Sequence, residues 1–179
     1  AVDVLNAMID AMGVVGERFK NNEIFVPEML VAARAMKKGV EVLKPHLASG
    51  SAGVCGKMVI GTVAGDLHDI GKNLVRIMLE TGGFEVYDLG RDVPVERFVD
   101  YVKENEVDIL CMSSLMTTTM PGMGAVIERL KEEGIRDKVK IMVGGAPVSP
   151  AFAERIGADG YTKSAIEAVA FAKKIIKTA

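Results

Sequence analysis

The sequence predicts an α/β protein, a doubly wound five-stranded parallel sheet preceded by a small N-terminal helical unit. Three observations lead there. From Lys57 onward, short β-rich apolar runs alternate with segments of helical periodicity. Those runs are apolar throughout rather than at every second residue, as strands covered on both faces must be. The first ~45 residues, by contrast, read as two helices carrying apolar stripes.

In the first helix Leu5, Met8, Ile9, Met12 and Phe19 define one apolar face, and Asn21-Asn22 breaks the pattern. Pro27 stands where a second helix can begin, followed by Glu28, whose charge suits the positive end of the helix dipole. Met29, Ala33, Met36, Val40 and Leu43 continue one stripe until Pro45, which is expected to stop it. Two helices alone cannot bury both stripes, so this unit must pack on something else. The small residues of 48–56 read as a linker, giving a helical unit over 1–48, a linker over 49–56 and an α/β domain over 57–179.

The first strand is Lys57–Val63 and the helix after it Ile70–Thr81, closed by Gly82-Gly83. Strands follow over 84–89, 107–112, 139–143 and a very short 160–162. Helices over 94–104, 119–133, 150–156 and 165–177 alternate with them.

Composition narrows the partners. With 22 basic and 24 acidic residues the net charge is −2, which gives no electrostatic reason to expect nucleic acid or an anionic membrane surface. Apolar residues at 49% support a folded core, while 5% aromatics and no Trp leave no stacking platform for bases. No apolar run approaches the ~18 residues of a membrane span. The start Ala1-Val2-Asp3 lacks the basic segment of a secretory signal. Cys55 and Cys111 stand far apart, with neither disulfide-framework nor zinc spacing, so the reducing cytoplasm is the expected location.

Ligands of open parallel sheets bind beyond the carboxyl ends of the strands, which directs attention to the loops after the first, third and fourth strands. The first reads Gly65-Asp66-Leu67-His68-Asp69-Ile70-Gly71. A carboxylate two residues from a histidine can accept one ring N–H and leave the other nitrogen for a metal. The plain alternative is a capping Asp and a solvent-facing His. Gly71 allows another group to approach the backbone closely. His46, after Pro45, reads as structural or exposed.

The loop after the third strand carries Ser113, Ser114, Thr117, Thr118 and Thr119, five hydroxyls in seven residues, of which one is expected to cap the next helix. The loop after the fourth, Gly144-Gly145-Ala146-Pro147, is either a tight turn or a wall without side chains for a flat group. No phosphate-loop pattern stands in the first βα turn. The combination suits a slot for a long planar group with a histidine at its mouth. No other nucleophile or acid–base pair is visible, so catalysis by this chain alone is not expected.

The run from Lys57 to Asn73, with D-x-H-x-x-G at Asp66, His68 and Gly71, resembles the cobalamin-binding domain of corrinoid methyltransferase proteins. Ser113 and Leu115 after the third strand and the Gly144-Gly145 pair match two further signatures of that family, in its order. Val14-Val15-Gly16-Glu17-Arg18-Phe19 and Phe25-Val26-Pro27-Glu28-Met29 resemble the helical cap that precedes the domain in methionine synthase and small corrinoid proteins. The resemblance implies a flavodoxin-like or Rossmann-like cobalamin-binding fold behind a helical cap, with cobalamin or a related corrinoid as cofactor.

It also implies roles. His68 would replace the cofactor's own benzimidazole as lower ligand to cobalt, the base-off arrangement. Asp66 would hold the other ring nitrogen, and Thr119, where methionine synthase members have Ser, would extend the relay. Leu67, Asp69, Ile70 and Gly71 would lie against the cofactor around His68. Gly61, Ser113, Leu115, Thr117, Gly144 and Gly145 would line the channel for the nucleotide tail. Phe19, Val26 and Met29 would meet the upper face from the cap.

The implied function is to carry a methyl group on cobalt between a donor-specific methyltransferase and a second, acceptor methyltransferase, with a reductive-activation protein as a further partner. Alternatives are the cobalamin-binding subunit of a radical isomerase, which shares D-x-H-x-x-G but not this cap, and a cobalamin-sensing regulator, which carries a DNA-binding domain or an aromatic cap signature. A cofactor-free receiver domain of this topology needs an acidic Mg²⁺ cluster at its strand ends. Because the family has about two more helices before the cap, and the chain starts at Ala1, it is expected to begin inside a four-helix unit.

Overall fold

The computed structural model describes residues 2–47 and 55–176. Two helices, α1 (Val2–Lys20) and α2 (Val26–Leu47), precede an alternating series. The series runs β1 (Lys57–Val63), α3 (Ile70–Thr81), β2 (Glu85–Val93), α4 (Val95–Glu104), β3 (Ile109–Ser113) and α5 (Pro121–Glu132). It ends with β4 (Lys140–Gly144), α6 (Pro150–Ile156), β5 (Gly160–Tyr161) and α7 (Ala165–Ile176). The expected linker lies outside the described residues except for Cys55 and Gly56, and the side chain of His46 also lies outside them.

All five strands are parallel in the order β2-β1-β3-β4-β5. The winding reverses between β1 and β3, so the crevice beyond their carboxyl ends is the switch point. Alternation along β1 sorts the core into two layers. Val59 and Val63 join Phe98, Leu110, Met123 and Ile127 beneath α4, α5 and α6. Met58 and Ile60 join Leu79, Ile109, Met142 and Ala172 beneath α3 and α7. Each fully buried Leu, Ile or Phe contributes roughly 1.5–3 kcal/mol, so both layers hold the strand ends rigidly.

The two-helix unit finds its partner in that second layer. Met12, Met29, Ala33 and Met36 form a buried cluster with Met78 of α3. Unbranched methionines fill the irregular space between crossing helices. A Cβ on Gly16 would stand 3.4 Å from Ile166 of α7, so α1 lies close on that helix. Between α1 and α2, Asn22 turns the chain at φ 60°. Phe25 then donates its N–H to Glu28 Oε2 at 3.1 Å, the carboxylate reaching back to the start of α2 as in a capping box.

Several boundaries differ from expectation by a residue or more, β3 starting at Ile109 rather than at 107 among them, and three bear on the site. The second helix runs through Pro45 to Leu47, the last described residue of this segment. Strand β2 continues past residue 89 to Val93: Gly90 pairs with Gly61 and Val93 with Val63, and the register shifts between them let Arg91 and Asp92 bulge out of the pairing. Helix α5 starts at Pro121 rather than at 119, with proline at the first helical position, where its missing N–H has no intrahelical partner to lose. No helix among the described residues is long and apolar enough to cross a membrane.

Candidate functional site

Beyond Val63, Gly65 takes φ +78° and turns the chain, so that Asp66 donates its N–H to the carbonyl of Val63 at 3.2 Å. This drives the Asp66 side chain into the switch-point crevice, where it is 0% exposed. One carboxylate oxygen, Oδ1, accepts the backbone N–H of His68 at 3.0 Å and stands 2.8 Å from His68 Nδ1. The other, Oδ2, accepts the N–H of Leu115 at 2.7 Å and the hydroxyl of Thr119 at 2.9 Å. Thr62, on the α3 side of β1, donates its hydroxyl to the His68 carbonyl at 3.3 Å and fixes the loop from below.

Burial alone would raise the Asp66 carboxyl. The N–H groups of Leu115 and His68, the His68 ring and the Thr119 hydroxyl outweigh it and hold the group well below its ordinary 3.8. Asp66 is therefore an anion that can only accept, and in the neutral ring Nδ1 must carry the proton. Nε2 then presents its lone pair from a side chain that is 52% exposed.

The expected trio of Asp66, His68 and Thr119 is thus brought together. Ser114 joins it, fully buried, with its hydroxyl 2.8 Å from Thr119 Oγ1 and 3.4 Å from Asp66 Oδ2. Each hydroxyl has one proton, and both lie within reach of the Met116 carbonyl, at 3.0 Å from Thr119 and 3.1 Å from Ser114. Thr119 donating to Asp66 and Ser114 donating to Thr119 or Met116 uses each proton once. Sequence reasoning noted the hydroxyl-rich loop but missed Ser114 and the Leu115 N–H. The expected cap for α5 is absent: its N-terminal flank is Met120, whose side chain cannot accept as a cap, while the Thr119 hydroxyl lies on Asp66. The capping reading of Asp66 fails likewise, since its oxygens serve His68 and the loop after β3.

The remaining candidates are placed as follows. Leu67 and Leu115 expose apolar side chains on the two loops of the crevice. A Cβ on Gly71 would meet nothing within 4 Å, so its surroundings are open. Asp69 flanks α3 without a side-chain cap, and the side chain of Ile70 lies outside the described residues. Ser113 pairs between Thr62 and Gly144 at the sheet end, and Thr117 is exposed. Gly144 has ordinary room, with a would-be Cβ 3.5 Å from the Thr162 carbonyl oxygen.

Two glycines and one cap residue stand close against other parts of the chain. A Cβ on Gly61 would stand 2.7 Å from the Phe98 ring, so a side chain there would enter the core beneath α4. At φ +126° a Cβ on Gly145 would fall 1.8 Å from the Ser114 carbonyl oxygen, so glycine is required there by the close approach of two loops. Met29, expected against the cofactor, is 1% exposed within the methionine cluster, and a contact would require that cluster to open. Phe19 is half-buried at the same cluster, and Val26 is exposed at the start of α2.

Two family profiles, each described as a B12 binding domain, match residues 56–170 and residues 1–44. Dimethylamine corrinoid protein 3 of Methanosarcina mazei is 52% identical over 166 residues, 92% of this chain and 99% of that protein. A cobalamin-binding protein from Desulfitobacterium hafniense superposes with TM-score 0.83 at 38% identity, over 95% of this chain and 80% of that one. A chain of the methanol:cobalamin methyltransferase complex from Methanosarcina barkeri superposes with TM-score 0.84 at 35% identity, over 99% and 68%. By its switch-point histidine, its fold and these matches, the chain belongs to the B12-binding domain family and takes cobalamin or a related corrinoid as its cofactor.

Proposed function

We propose that this chain carries a methyl group between a donor-specific methyltransferase and an acceptor methyltransferase, on the cobalt of a corrinoid bound base-off with His68 as lower ligand. The observation that supports this most is the His68 ring itself, with Nδ1 held by a buried anion and Nε2 directed outward. The bound corrinoid supplies the cobalt centre that accepts and releases the methyl group. The chain supplies binding, orientation and ligand tuning.

Asp66 fixes the tautomer and angle of the imidazole, and Thr119 and Ser114 fix Asp66. An outer shell of this kind sets the basicity of a metal-bound histidine. Exposed Leu67 and Leu115 give a flat macrocycle apolar ground on either side of that nitrogen. Phe19 and Val26, at the facing ends of α1 and α2, are the cap residues proposed to shield the upper face. A reductive-activation protein is the third proposed partner, restoring the centre after adventitious oxidation.

The 52% identity to a dimethylamine corrinoid protein makes dimethylamine the first donor to test. The corrinoid-loaded protein is incubated with isotopically labelled dimethylamine and the donor methyltransferase of a dimethylamine system, then separated by size. Label recovered with this chain supports the carrier reading. Label that stays with donor or enzyme under reducing conditions contradicts it.

A further inference from the structure

Strand β2 ends by holding the loop that carries His68. Asp92 has φ +53°, a left-handed conformation that glycine adopts freely and Asp tolerates better than most residues. In that conformation its carboxylate accepts the N–H of Gly65 at 2.7 Å. Its own N–H donates to the carbonyl of Asp66 at 3.0 Å. The two bonds take hold of the residue before Asp66 and of Asp66 itself, from a strand that contributes nothing to the D-x-H-x-x-G pattern. Beyond the loop, the first turn of α3 is tied to the same strand by the ion pair of Lys72, which is buried, with Asp88. His68 is thus bracketed on both sides by β2.

Gly65 is left-handed and has no side chain, so within the turn that aims Asp66 into the crevice only the 3.2 Å bond from Asp66 N–H to the Val63 carbonyl holds it. The 2.7 Å bond from Gly65 N–H to the Asp92 carboxylate is a second and shorter restraint, supplied from outside the turn. We infer that Asp92 is a positioning residue for the lower ligand. Its two hydrogen bonds go to the backbone of Gly65 and Asp66, and it acts by fixing the Asp66 backbone so that Oδ1 meets His68 Nδ1. The inference rests on His68 as lower ligand and goes beyond it.

The test compares native protein with Asp92→Asn and Asp92→Gly. Asn tolerates the left-handed conformation and keeps an acceptor oxygen for Gly65, whereas Gly relieves the conformation and removes the acceptor. Each protein is loaded with cobalamin, and three quantities are read: cobalamin affinity, the share of cobalt(II) showing histidine-nitrogen coupling in electron paramagnetic resonance, and the melting temperature before loading. The expected result is a native-like Asn variant. The Gly variant should melt near the native temperature, bind cobalamin about tenfold more weakly and lose histidine-coupled cobalt.

A Gly variant with native affinity and coupling overturns the inference, as does an Asn variant that loses as much as the Gly variant. A Gly variant that loses ligation only because it no longer folds also overturns it, leaving Asp92 a stabiliser of the fold. Native protein without histidine coupling is a different result: it removes the lower-ligand reading itself, and this inference with it.

Discussion

Thr119 Oγ1 lies 2.9 Å from Asp66 Oδ2 and 2.8 Å from Ser114 Oγ, so a single hydroxyl links a buried anion to a second buried donor. Thr119→Val keeps the shape and removes the link. Leaving a buried carboxylate short of a donor costs about 1–3 kcal/mol. Thr119→Ser keeps the hydroxyl and loses one methyl, so its cost stays within about 1 kcal/mol. Urea unfolding of the cofactor-free protein checks both, and equal costs for the two variants would contradict a role for the hydroxyl.

Asp66→Asn turns an acceptor-only group into one that must point an NH₂ at N–H or hydroxyl donors. The loss at neutral pH is about 1.5–3 kcal/mol, the range for hydrogen bonds to charged groups. The folded-state pKa of Asp66 is depressed, so its contribution is complete above the unfolded carboxylate value near 3.8 and fades as pH falls toward the lower folded value. Unfolding measured from pH 7 down to about pH 3 should therefore show the gap between native and Asn proteins narrowing only below about pH 4. A gap that is constant with pH, or widens in acid, contradicts the ionised Asp66.

Gly61→Ala separates a core role from a channel role. Its methyl would meet the fully buried Phe98 ring at 2.7 Å, and overpacking of that kind costs about 1–3 kcal/mol. The expected outcome is lower stability with cobalamin affinity kept in the protein that remains folded. Native stability with weakened cobalamin binding would return Gly61 to the channel.

The thiols should divide sharply. Cys55 is exposed, whereas Cys111 is buried in β3, where desolvation pushes its pKa up to about 12. A disulfide reagent at pH 8 should modify Cys55 rapidly and Cys111 only when denaturant is added. Rapid modification of both in native buffer would contradict the packing beneath α3 and α7.

The alternation of apolar strands and helices exposed the sheet because burial on both faces leaves an unambiguous apolar signature, and the strand ends then pointed to the loops that matter. Asp66 and His68 were legible because their chemistry is local, two residues apart on one turn. Ser114 and Asp92 were not, because their roles depend on which loops the strand order β2-β1-β3 makes neighbours. The glycines are ambiguous for a related reason. Gly61 and Gly145 are small because of Phe98 and the Ser114 carbonyl, groups distant in sequence, and a missing side chain looks the same whether it makes room for a ligand or for the protein itself. Asp92 also lies between the strand expected over 84–89 and the helix expected over 94–104, and the register shifts that bulge it out toward Gly65 belong to the pairing of β2 with β1.

The most direct test of His68 as lower ligand is electron paramagnetic resonance of the cobalt(II) form, prepared from protein grown with natural and with nitrogen-15 histidine. The chain has only two histidines, so His68→Gly completes the assignment. With His68 Nε2 on cobalt, each cobalt line is split into a triplet in natural protein and a doublet in labelled protein, and the splitting disappears in the Gly variant. A triplet that survives labelling would place the cofactor's own benzimidazole on the metal and contradict the account.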